Sequence, residues 1–98
     1  MAARSYKRIA AVTKSVEIMG FLSEQRGPVP VREISAAVSL PYNTTMCHLV
    51  TLEDDQLVKC VNGKYELGPR FAVYWSRYRA RLETQMTRLQ QEYQDLEV

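Results

Sequence analysis

The chain has little of what builds a stapled scaffold or a metal centre: two cysteines, Cys47 and Cys60, and one histidine, His48. Two thiols far apart in sequence exclude a disulfide framework and fit a reducing cytoplasm, and three N/S donors without a recognised spacing leave zinc unsupported. His48 adjoins Cys47, and neighbouring helical side chains point about 100° apart, so the pair makes neither a joint metal site nor a nucleophile–base pair. His48 therefore reads as a core or core-edge residue. The four glycines are scattered at 20, 27, 63 and 68, which excludes a glycine-rich phosphate loop. No apolar run is long enough for a membrane span or a secretion signal. Neither an enzyme activity nor a cofactor is expected.

What is present is an uneven distribution of charge. The formal net charge is only +2, but residues 1–50 carry six Lys/Arg against three acids, residues 51–81 six against four, and residues 82–98 one against four. Basic surface thus belongs to the first four-fifths of the chain, where phosphate would be met, and an acidic tail would point away from it. Residues 1–11, with Arg4, Lys7 and Arg8 around Tyr6, show neither caps nor periodicity. They read either as a basic arm that orders along DNA or as a solvated leader.

Thr13 is expected to cap a first helix whose inward stripe includes Val16, Met19 and Phe21/Leu22, running to Gln25 and stopped by Gly27-Pro28. Gly20 within it is expected to mark close packing against another element. Val29-Pro30-Val31 should be extended, because Pro30 moves the residue before it out of the α region. A second helix is predicted over Arg32–Val38, with Ile34, Ala37 and Val38 inward, followed by the break Ser39-Leu40-Pro41. Three residues is a length that lets two helices cross steeply, and Pro41 suits the first turn of the next helix.

That third helix, Tyr42 to about Gln56, opens on Tyr42, Asn43, Thr44 and Thr45, short hydrogen-bonding groups that can cap the helix, reach phosphates or read base edges. Leu49 and Leu52 face inward, with either Thr45/His48 or Met46/Val50 completing the stripe. Leu57–Val61 and Lys64–Leu67 then alternate apolar and polar residues across Asn62-Gly63, the favoured two-residue type I′ hairpin turn. Helix, break, polar-fronted helix and hairpin in this order outline a winged helix-turn-helix.

From Pro69 to about Glu97 the pattern is helical, with Phe71, Trp75, Tyr78, Leu82, Met86, Leu89, Tyr93 and Leu96 spaced 4, 3, 4, 4, 3, 4, 3. This is a heptad-like seam with one extra four-step, which should locally unwind a left-handed supercoil. A helix of roughly 40 Å is too long for so small a core to cover. Its stripe is expected to meet another chain, with folding back onto the head an option for Phe71 to Tyr78. Arg77, Arg79 and Arg81 lie mainly off the seam. The expected organisation is a basic arm at 1–11, a DNA-binding head at 12–68 and a dimerisation helix at 69–98. The fold class is mainly α with a small β-hairpin: a winged helix-turn-helix followed by a long C-terminal dimerisation helix.

Several fragments in order carry a family resemblance: Val12-Thr13-Lys14-Ser15-Val16-Glu17-Ile18-Met19, then Val31-Arg32-Glu33-Ile34-Ser35, then Leu40-Pro41-Tyr42-Asn43-Thr44-Thr45. Leu49, Leu52-Glu53 and Tyr65-Glu66-Leu67-Gly68-Pro69-Arg70-Phe71 complete the set. Residues 12–98 resemble the DNA-binding domain and linker helix of the isocitrate-lyase-regulator (IclR) family of bacterial transcription regulators. The resemblance implies a dimer on palindromic operators, with the third helix in the major groove, the wing beside the minor groove, and Thr45/His48 on the inward face.

Three departures stand out. Cys47 occupies a DNA-facing position where the family usually has arginine. Ser39 and Gln56 replace glycines, so slightly altered turns are expected. The family's effector-binding domain has no counterpart in these 98 residues. Small-molecule sensing is therefore not carried over, whether the chain is a piece of a longer protein or a compact regulator such as a phage or mobile element might encode.

The leading expectation is a sequence-specific reader of double-stranded DNA acting as a dimer. Tyr42, Asn43 and Thr44 would read or clamp the major groove, with Cys47 beside them. Lys14, Arg32 and Lys64 would hold phosphates, and Lys7 and Arg8 would extend along the DNA. The competing expectation is a protein-interaction module on the same scaffold with weak or no DNA binding. RNA ranks third, for want of stacking aromatics in the arrangement single-strand readers need.

Overall fold

The computed structural model describes residues 5–97, so residues 1–4 of the expected arm lie outside it, as does Val98. Residues 5–9 form no regular element, and the first helix, α1, spans Ala10–Ser23. It begins earlier than the boundary drawn at residue 12 and without a side-chain cap, on an extended Ile9. Ala10 and Ala11 are strong helix formers and carry the helix one turn upstream. Thr13 is accordingly inside the first turn rather than at its cap: its backbone N–H and its hydroxyl both donate to the Ile9 carbonyl, at 3.1 and 3.4 Å.

The inward face of α1 follows expectation at Leu22, with Met19 and Phe21 packed against the core, and departs from it at Val16. Ile18 and Leu22 are buried, whereas Val16 is 57% exposed. α1 carries two apolar stripes at helical spacing, and the head takes up the one through Ile18 and Leu22. Gly20 does not mark a close approach, because a Cβ built there meets nothing within 4 Å.

β1 (Val29–Pro30) leads directly into α2 (Val31–Val38), which buries Val31, Ile34 and Val38. Ala37, expected inward, is exposed. α3 spans Tyr42–Asp54, ending two residues before Gln56, and Pro41 sits at its N-cap in extended conformation rather than within the first turn. β2 (Val58–Val61) and β3 (Lys64–Leu67) form the expected hairpin, with Asn62 at φ 53° and Gly63 at φ 79° as a type I′ turn requires. β3 is central in an antiparallel sheet of order β1-β3-β2, with Val29 opposite Tyr65 on one side and Cys60 opposite Tyr65 on the other. The core of the head packs Ile18, Leu22, Val29, Val31, Ile34, Val38, Leu49, Leu52, Val58 and Tyr65 together.

The turns at Ser39 and Gln56 are left-handed, at φ 56° and 62°, a conformation that glycine would adopt at lower cost.

α4 (Arg70–Asp95) leaves the head and buries no residue. Phe71 is half-buried and every described residue after it is exposed, so the helix does not fold back. The radius of gyration is 19.4 Å, against about 13 Å for a compact chain of this length. The joint is closed by backbone bonds: Gly68 N–H donates to the Leu57 carbonyl at 2.9 Å and Arg70 N–H to the Gln56 carbonyl at 3.2 Å. Gly68 permits this approach, since a Cβ there would lie 2.8 Å from the Gln56 carbonyl carbon and closer still to its oxygen.

Two substitutions test these backbone assignments. Gly68→Ala should lower the unfolding free energy by about 1–3 kcal/mol, because rigid backbone must shift. Ser39→Gly should raise it by about 0.5–1 kcal/mol by relieving a left-handed residue. Urea titrations followed by far-UV circular dichroism measure both, and equal stability of the Gly68→Ala variant and the parent would show that the joint is not tightly packed.

Candidate nucleic-acid interface

The turn between α2 and α3 is held by a dense set of bonds. Ser39 N–H donates to the Ala36 carbonyl at 3.4 Å and Leu40 N–H to the Ser35 carbonyl at 3.1 Å, while the Ser35 hydroxyl donates back to the Leu40 carbonyl. Lys14 of α1 adds its ammonium to the Val38 carbonyl at 2.7 Å and to Glu17 at 3.1 Å. Lys14 was expected at a phosphate, but its charge instead satisfies the carbonyl end of α2, where a helix favours a cation.

α3 then enters with its front outward. Tyr42 is 53% exposed, and Asn43, Thr44 and Cys47 are exposed with it. None of the first-turn side chains caps the helix. Thr45 turns inward instead and is fully buried, its hydroxyl donating to the Pro41 carbonyl at 3.0 Å. Of the two candidate stripes, Thr45/His48 is therefore closer: His48 is half-buried with Nδ1 2.8 Å from the Ser15 hydroxyl, while Val50 is 48% exposed and Met46 only leans on the core.

Three elements converge at the outer face of α3. Pro30, Val31, Arg32, Glu33, Tyr42 and Gly63 line a groove of about 410 Å³, which places the start of α2, the start of α3 and the wing tip side by side. Exposed Lys64 follows Gly63 on the wing. Lys7 and Arg8 are exposed in the segment before α1, and the groove lining does not include them.

Glu33 is the groove residue that the sequence reading passed over. It adjoins Arg32 in the first turn of α2, where an acid suits the helix dipole, and it tempers the positive charge there. The Ser15–His48 bond was equally invisible, since it joins residues 33 apart. At the back of the hairpin, burial and then the Cys60 thiol across the strand push the Tyr65 phenol above its ordinary value, so it stays neutral. Among the described residues no group of three or more His, Cys, Asp or Glu gathers as a metal site, and no helix is long and apolar enough to cross a membrane.

Two helices joined across a tight turn, with a hairpin beside the second, define the head as a winged helix-turn-helix. The IclR helix-turn-helix domain matches residues 11–60, and the chain belongs to that family. Among solved structures it is similar to an IclR transcriptional regulator from Alicyclobacillus acidocaldarius, 21% identical with a TM-score of 0.70 over 74% of this chain and 30% of that one. Pseudomonas aeruginosa HmgR follows, at 17% identity and a TM-score of 0.60 over 71% of this chain and 29% of that one. An S-adenosylmethionine-dependent methyltransferase, SibL, shares the fold at 22% identity and a TM-score of 0.55, over 69% of this chain and 21% of that one. The chain thus spans at most three-tenths of the length of these structures, and the likeness is one of fold. No curated protein matches the chain.

The role of Lys14 is open to direct measurement. Lys14→Met should cost about 1 kcal/mol of stability in urea, because the Val38 carbonyl loses a charged donor at a partly solvated site. A variant as stable as the parent would mean that the tether contributes nothing and the ammonium is free for other work.

Proposed function

We propose that the chain is a sequence-specific, double-stranded DNA-binding transcription regulator that acts as a dimer on a two-fold symmetric operator. The observation that carries the reading is the convergence of Arg32, Tyr42 and the wing tip on one groove beside the exposed polar front of α3. Membership of the IclR helix-turn-helix family supports it.

In this reading the front of α3 enters the major groove. Asn43 carries an amide that can bond an adenine edge in two places, and Thr44 offers a hydroxyl and a methyl for a thymine. Tyr42 clamps the backbone at the groove edge. Cys47, one turn further along α3, contributes a small uncharged side chain. Arg32 and Lys64 neutralise phosphates on either side, and Lys7 and Arg8 follow the duplex outward. Lys14 is left out of the contact set because its ammonium is already bonded. The apolar seam of α4, from Phe71 to Leu96, pairs two copies.

Selection from a random duplex pool tests the reading. It should return a palindrome whose affinity falls with salt at a log–log slope of about −0.9 for each phosphate neutralised. Arg32→Ala and Lys64→Ala, each removing one phosphate contact per protomer, should each flatten that slope by about 1.8 for the dimer while lowering affinity for all sequences alike. Asn43→Ala should cost about 1–3 kcal/mol per half-site and relax the preference at one base pair in each half-site. The Asn43→Ala/Thr44→Ala double variant discriminates the competing reading: a DNA reader loses its operator, whereas a protein-interaction module keeps its protein partner. Equal affinity for every duplex would overturn sequence-specific reading.

A further inference from the structure

The seam of α4 is bare along its length: Trp75 is 61% exposed, Leu82 42%, Met86 60%, Leu89 65% and Tyr93 67%. Charge along the same helix is divided by end. Arg70, Arg77, Arg79 and Arg81 precede Leu82 with no acid among them, whereas Glu83, Glu92, Asp95 and Glu97 follow it against Arg88 alone. The Arg79–Glu83 pair, at 3.1 Å, bridges the two zones within one helix.

A second copy laid alongside in parallel would set the four arginines against four arginines and acids against acids. The same copy laid antiparallel would set the basic half of each helix against the acidic half of the other. Flanking charge of this kind selects orientation and partner in paired helices. The seam accommodates the reversed arrangement. Counted outward from the point between Glu83 and Thr84, Leu82 and Met86, Tyr78 and Leu89, and Trp75 and Tyr93 lie at matching distances to within one residue. A reversed copy therefore brings apolar residue to apolar residue just as a parallel copy would, so the division of charge selects between the two.

Resting on the reading that α4 pairs two copies, we propose that the partner for this face is a second copy of the chain with its α4 antiparallel, centred between Glu83 and Thr84. Tyr78 then packs on the partner's Leu89 and Leu82 on the partner's Met86. The two heads lie at opposite ends of the pair, with the starts of α4 about 40 Å apart along the axis at ~1.5 Å per residue.

Spin-label distances in the full chain test this. In a C47S/C60S background, Thr84→Cys and Gln94→Cys are labelled separately, both positions being exposed, and the solution mass is measured in parallel. A dimer with Thr84 labels within two helix widths, about 20–25 Å, and Gln94 labels at least ~32 Å apart is the expected result. Gln94 labels as close as the Thr84 labels would overturn the antiparallel arrangement while leaving the dimer intact. A dimeric mass with distant Thr84 labels would remove α4 from the interface and refute the pairing. A monomeric mass would overturn dimerisation itself and the pairing with it.

Discussion

The carbonyl end of α2 is the constraint on which the rest of this head depends. A helix leaves its last carbonyls without partners, and in a segment of only eight residues that is a large share of the backbone. Here the Ser35 and Ala36 carbonyls are met by Leu40 and Ser39 N–H groups, and the Val38 carbonyl by the Lys14 ammonium. Satisfying them requires Ser39 to turn left-handed, and that turn decides where Pro41 and the start of α3 fall. The exposure of Tyr42, Asn43 and Thr44 follows from how α2 ends.

A second consequence is a division of labour within α3. Thr45, Leu49 and Leu52 are fixed in the core, Thr45 with its hydroxyl bonded to the chain's own backbone. That leaves the side chains at 42, 43, 44 and 47 free of structural duty. The outward face and the packing face share no residue, so the outward positions can vary in chemistry without unsettling the head. Exposed Cys47 is one such outward position.

What was legible in the sequence was what local chemistry decides. Asn62-Gly63 announced its turn because both positions need positive φ, and the tail announced its helix because eight apolar residues recur at one period. The inward face of α1 was less legible because the helix bears two apolar stripes, and only the shape of α2 and α3 selects Ile18 over Val16. The tether made by Lys14 was hidden for a related reason. Its partner carbonyl lies 24 residues away, and a lysine near a helix-turn-helix looks the same in sequence whether it meets a phosphate or a backbone oxygen. Gly20 shows the converse: a glycine in a helix advertises a close contact that the fold does not make. Tyr42, Asn43, Thr44 and Cys47 are exposed, but that Arg32, Tyr42 and the wing tip share one groove depends on the sheet and the turn together.

The joint at Gly68 gives α4 a mechanical character. Backbone bonds from Gly68 and Arg70 to Leu57 and Gln56, with Arg70 Nε on the Asp55 carbonyl at 3.3 Å, clamp one end of the helix to the end of α3 and the base of the wing. A 26-residue helix held at one end is a lever of about 39 Å. A tilt of about 10° at the clamp moves its far end by roughly 7 Å, a fifth of the ~34 Å repeat of the duplex. A side chain at position 68 bulky enough to pry the clamp open would act at a distance, redirecting the whole of α4 while leaving every residue of the groove in place.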